Sequence, residues 1–162
     1  MNLKATKLAI AATLTLLLTS CSNTVTTQNP SSWQDGACDS SHQGVTLAID
    51  FKGEVTTRCA LNYSGNGWEL FKAAGIPVKG TAKYPTAFAC QINGEPKSAK
   101  CDDSETSGAY WGYYLLANGK WDYATTGASD HKSKCGDVEG WVYMETEQTV
   151  SHLPTPPSYT CN

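Results

Sequence analysis

The sequence predicts an α+β fold, mostly antiparallel β: a small sheet domain with one short helix packed on it, disulfide-braced. Three observations lead there. Apolar residues alternate with a period of two in several runs separated by turn-forming pairs. One segment alone has a helical pattern. Six cysteines remain to pair once Cys21 is set aside, an even number suited to an oxidising compartment.

The first residues read as an address. Lys4 and Lys7 precede an apolar run over residues 8–18, too short for a hydrocarbon core that needs roughly 20 residues. The run ends in Leu18-Thr19-Ser20-Cys21, which resembles the bacterial lipobox, where the cysteine is lipidated and becomes the new N-terminus. An ordinary signal peptide cut near Ser20 is the alternative. Residues 1–20 are therefore expected to be a lipoprotein signal peptide. Residues 21–37 are the lipidated cysteine and a polar, flexible tether, and residues 38–162 a single β-rich domain. The expected location is a bacterial cell membrane, with the protein lipid-anchored through Cys21 and facing out of the cytoplasm. Beyond residue 20 the chain keeps ten basic side chains against 15 acidic ones. That balance, without a basic stripe, argues against nucleic acid as a partner.

Cys38, Cys59, Cys90, Cys101, Cys135 and Cys161 are expected to form three bridges. Cys90–Cys101 is the local pair. An outer tie from Cys161 to Cys59 or Cys38 is expected, with Cys135 taking what remains. No CxxC pair occurs and His42, His131 and His152 are scattered, so no metal is expected.

Residues 45–51 alternate cleanly as a half-buried strand, and 55–61 read as its partner across Gly53. The helix is predicted over residues 67–74, capped by Asn66 or Ser64 and stopped at Gly75. Residues 76–81 and 86–92 follow as strands, the second ending in the hairpin signal Asn93-Gly94. A two-residue turn there would set Lys97 opposite Cys90, so a Cys90–Cys101 bridge requires the return segment to leave the ladder at Pro96. Residues 109–116 form the most apolar strand, turned by Asn118-Gly119 into 121–124. Residues 138–143 complete the series.

Eight of the 16 aromatics lie between Tyr110 and Tyr143. The strand period sends Tyr110 and Tyr114 to one face and Trp111 and Tyr113 to the other, so both faces are apolar. Either the rings fill core or they form a ligand or partner surface, and the polar tips of Tyr and Trp favour partly open sites. Tyr110, Trp111, Tyr113, Tyr114, Trp121 and Trp141 are the candidate binding residues, with Gly112 leaving a gap for something flat. Catalytic constellations are missing: no Gly-x-Ser-x-Gly, no His-Glu-x-x-His and no spare cysteine. Asp102, Asp103 and Glu105 read as a solvated loop, His131 as an exposed loop residue, and Asp137 with Glu139 as two carboxylates on one strand face. No enzyme activity and no cofactor are expected.

Four segments in order carry a resemblance: 68–75 (WELFKAAG), 88–96 (FACQINGEP), 109–114 (AYWGYY) and Gly140-Trp141. Together they resemble the transcobalamin C-terminal-like domain of exported bacterial proteins, over roughly residues 45–143. The resemblance implies a small β-rich domain with one helix, similar to the one that closes over cobalamin in animal carriers. It also implies an accessory role beside energy-coupling-factor vitamin transporters, without catalysis. The expected partners are thus the membrane, a small flat ligand such as a corrinoid, and a transporter or other envelope protein. A protein- or glycan-interaction lipoprotein is the alternative.

Overall fold

The structure, a computed structural model, describes residues 32–102, 108–145 and 152–162. The expected leader, Cys21, the expected tether through residue 31, and Asp103 and Glu105 lie outside the described residues.

β1 (Trp33–Asp35), β2 (Gly44–Phe51) and β3 (Glu54–Leu61) come first. Lys52 and Gly53, at φ 56° and 92°, turn β2 into β3, and the Gly53 N–H donates to Asp50 Oδ1 at 2.7 Å. After β4 (Gly65–Asn66) and α1 (Leu70–Ala73) come β5 (Val78–Gly80) and β6 (Ala89–Ile92). β7 (Tyr110–Ala117), β8 (Lys120–Tyr123), β9 (Lys132–Ser133) and β10 (Val138–Met144) complete the series. Six strands make one sheet in the order β1-β3-β2-β10-β7-β8, while β4–β9 and β5–β6 form two small ladders. Mostly β with one short helix is thus the observed class among the described residues.

Two features depart from the expected sheet. β10 enters between β2 and β7 and runs parallel to β2, with Trp141 opposite Ile49. Its central place buries both faces, so adjacent Trp141 and Val142 are each enclosed. The sheet also begins before Cys38: Trp33 of β1 pairs with Ala60, its ring 3.8 Å from the Arg58 guanidinium carbon. A stretch that reads as tether by its polar composition is drawn into the sheet by one aromatic.

The helix is shorter than its pattern. Residues 67–69 form a turn whose Glu69 N–H donates to Asn66 Oδ1 at 2.8 Å, and the helix proper starts at Leu70. Leu70, Phe71 and Ala74 are fully buried against the sheet. Gly75 stops the helix at φ 67°. A Cβ there would also lie 2.1 Å from Trp33 Nε1, so Gly75 is required twice over.

The bridges are Cys38–Cys59, Cys90–Cys101 and Cys135–Cys161. The local pair is as expected; the outer tie is not, because Cys161 reaches Cys135 rather than Cys59 or Cys38. The C-terminal segment returns along the second sheet face, and Tyr159 Oη donates to the Gly44 carbonyl at 2.8 Å. That course brings Cys161 beside Cys135 and leaves Cys38 next to Cys59. Each closed loop stabilises by about 2–4 kcal/mol.

Two cores result. On the helix face Val45, Leu47, Ile49, Trp111, Tyr113 and Trp141 meet α1. On the other face Ala48, Tyr114, Val142 and Met144 pack under Leu153 and Trp121. Gly140 makes that second layer possible, since a Cβ would lie 2.6 Å from Leu153 and 2.9 Å from the Trp121 ring.

Candidate functional site

The segment between β5 and β6 builds one wall of a cleft. Residues 81–88 leave the ladder and cross close over Gly80, where a Cβ would be 2.2 Å from the Pro85 carbonyl oxygen. The hairpin turn is Asn93-Gly94, both at positive φ, and Ile92 pairs with Glu95 before the chain departs at Pro96. Gln91 Nε2 holds that departing loop by donating to the Pro96 carbonyl at 3.0 Å. The Cys90–Cys101 bridge then fixes it against β6. β7 and the end of β8 supply the opposite wall.

Between them lies a cleft of about 770 Å³, with Tyr84, Phe88, Tyr110 and Tyr123 around it and Trp111 and Tyr143 among its lining. Tyr84 and Phe88 pack as tilted rings with centroids 6.1 Å apart, and Lys83 Nζ lies 5.2 Å from the Tyr84 ring centroid. The four rim rings are 48%, 55%, 42% and 55% exposed. Among the described residues, Val55 is the only other large apolar side chain so exposed. Exposed rings gathered at one concave place are the usual mark of a binding surface. Among the described residues, no lining side chain is a carboxylate or a histidine, and the lining cysteines are bridged.

A family model described as the SCO2322-like domain matches residues 103–160. That is just over a third of the chain. No curated protein and no solved structure matches. The SCO2322-like stretch contributes Tyr110, Trp111, Tyr123 and Tyr143 to the cleft, while Tyr84 and Phe88 come from outside it.

The six candidate rings are dispersed. Tyr110 and Trp111 line the cleft. Tyr113 and Trp141 are core, 4.9 Å apart, and reach the floor of a smaller open pocket of about 200 Å³ that shares Phe88, Ala89, Trp111 and Tyr123 with the cleft. Tyr114 and Trp121 belong to the second sheet face. The gap expected at Gly112 is filled, since a Cβ there would meet Tyr114, Met144 and Tyr123 at 3.0–3.4 Å. Tyr84 and Phe88 were not among the candidates. Tyr84 stands in a proline-containing stretch without periodicity, whereas Phe88 falls in the 86–92 run that reads as a strand; the observed strand starts only at Ala89, which leaves Phe88 outside the ladder and exposed.

One buried polar group stands beneath the helix entry. Glu139 is fully buried; Tyr113 Oη donates to its Oε2 at 2.6 Å, and His131 Nε2 lies 3.6 Å from Oε1. His131 is therefore a largely covered neighbour of an acid, with its side chain 21% exposed, rather than an exposed loop residue. Burial raises the Glu139 carboxyl above its ordinary value, with the Ser133 and Tyr113 hydroxyls and His131 pulling the other way. Burial, followed by the nearby carboxylate, pushes the Tyr113 phenol well above its usual range. Gly67 closes over this group, where a Cβ would be 2.5 Å from Tyr113 Oη. Asp137 acts on it through charge, adding to the rise at Glu139, while its own Oδ2 accepts the Lys134 N–H at 2.9 Å. No three His, Cys, Asp or Glu side chains gather as metal ligands among the described residues.

Proposed function

We propose that this chain is a lipid-anchored extracytoplasmic module, without catalysis of its own, that binds a flat, largely apolar small molecule in the aromatic cleft. The observation that carries this reading is the gathering of Tyr84, Phe88, Tyr110 and Tyr123 around one concavity. Burying a ring of this size is worth roughly 1.5–3 kcal/mol, so a ligand covering several of them has a large driving force. The cleft volume of about 770 Å³ suits a small molecule. Three bridges favour an oxidising compartment, and Leu18-Thr19-Ser20-Cys21 supplies the anchor. The transcobalamin-like segments make a corrinoid the first ligand to try, and an energy-coupling-factor transporter the first partner.

The test is equilibrium titration of the mature protein with corrinoids, flavins and porphyrins, read by tryptophan emission, since Trp111 lines the cleft. At least one should quench with one-to-one saturation. If none saturates, small-molecule binding is wrong, and saturation by an oligosaccharide or envelope protein alone would favour the interaction alternative. Cys21→Ser should move the protein from the membrane to the soluble fraction; unchanged fractionation would refute the anchor.

A further inference from the structure

The aromatic cleft does not end at its rim. The smaller pocket of about 200 Å³ adjoins it, open to solvent, with Phe88, Ala89, Trp111 and Tyr123 common to both. The two spaces therefore form one groove whose halves differ in chemistry. Rings surround the larger half. The smaller half is edged by Thr125, Thr126 and Gly127, all exposed. Among the described residues, no charged side chain lines it.

The polar edge is held in place. The Ala124 N–H donates to the Tyr113 carbonyl at 2.9 Å, and the Gly127 carbonyl accepts from the N–H groups of Asp130 and His131 at 2.9 and 3.1 Å. The Ser129 hydroxyl donates to the carbonyl of Thr86, in the loop that carries Tyr84 and Phe88. The edge and the aromatic wall are thus tied to each other. Within that frame the N–H groups of Thr125, Thr126 and Gly127 and both threonine hydroxyls have no hydrogen-bond partner among the described residues. Exposed groups of this kind can exchange water for the hydroxyls of a ligand.

We propose that the ligand of this groove is amphiphilic: a planar apolar system among the cleft rings, bearing an uncharged, hydroxyl-rich group that lies in the open pocket against Thr125 and Thr126. This rests on the cleft being a small-molecule site. The chemistry of the edge selects the polar group. A hydroxyl both donates and accepts, so it suits a threonine hydroxyl and a backbone N–H alike. An ionised group would give up part of its hydration with no opposite charge in the described lining to replace it. Size sets the proportion. With about 200 Å³ against about 770 Å³, the polar part is the minor one, a single sugar or a short polyol.

The experiment is calorimetric titration of the mature protein with 2-methoxynaphthalene, 2-naphthyl glucoside and 2-naphthyl phosphate, which share one planar system. The glucoside should bind about tenfold tighter than the methoxy compound, as two or three hydrogen bonds of ordinary net strength would give. Thr125→Val combined with Thr126→Val removes both hydroxyls at exposed positions while keeping the side-chain shape. The pair should cut the glucoside's advantage to about threefold or less, and leave the methoxy compound within about twofold of the parent. A methoxy compound that saturates, with no gain from the sugar, overturns the amphiphilic ligand alone. So does a gain that survives the double substitution, or a phosphate that binds tighter than the glucoside. Failure of all three to saturate overturns it together with the cleft reading beneath it.

Discussion

Glu139 occupies a strand position whose neighbours are Leu47, Leu115 and Trp141, and its surroundings decide its charge. Because burial raises its carboxyl in the fold, the folded chain holds a proton that the unfolded chain gives up. The stabilisation tied to that proton is complete below the ordinary glutamate range, and it is lost as pH rises through the raised value. Stability should therefore fall with rising pH over that interval. Glu139→Gln keeps the shape and can still accept from Tyr113 Oη, so its profile should be flatter. Denaturant unfolding from pH 4 to 8 should show the parent losing on the order of 1 kcal/mol relative to the variant. Parallel profiles would contradict this. The sequence shows Asp137 and Glu139 two apart, which suggests a matched pair. Strand spacing cannot say that one carboxylate caps a turn while the other is sealed under Gly67.

Elements set by local chemistry were legible. The turns at Asn93-Gly94 and Asn118-Gly119 place both residues at positive φ, as those residue types prefer. The 45–51 strand, its partner, and the helix stop at Gly75 follow from alternation and from glycine's freedom. What escaped depends on distant segments. The parallel β10–β2 pairing joins strands far apart in sequence, and an apolar run buried on both faces has no orientation written in it. The pairing of Cys161 with Cys135 likewise follows from the path of the C-terminal segment over the second face, which no spacing of cysteines encodes. Pro96 did signal that the chain leaves the ladder there, and Cys90–Cys101 closes across that departure.

For the whole molecule, the sheet would separate the proposed attachment from the proposed binding site. The chain enters at β1, one edge, and the cleft lies by β7 and β8 at the other. Five strand spacings put these edges roughly 24 Å apart. A tether joined at β1 would thus leave the cleft open toward a partner. The candidate site was legible only in part, because aromatic density along β7 and β10 marks the core as strongly as the cleft. Trp141 and Tyr113 have the composition of a binding surface and the burial of a core, whereas Tyr84 and Phe88 are sparse in sequence and exposed in the fold.

Those two rings supply the most direct test. With ligand affinity and unfolding free energy measured side by side, Tyr84→Ser combined with Phe88→Ser should leave stability within about 0.5 kcal/mol. The same pair should weaken the tightest ligand about tenfold or more. Undiminished affinity in a protein lacking both rings would place the ligand elsewhere and contradict the account.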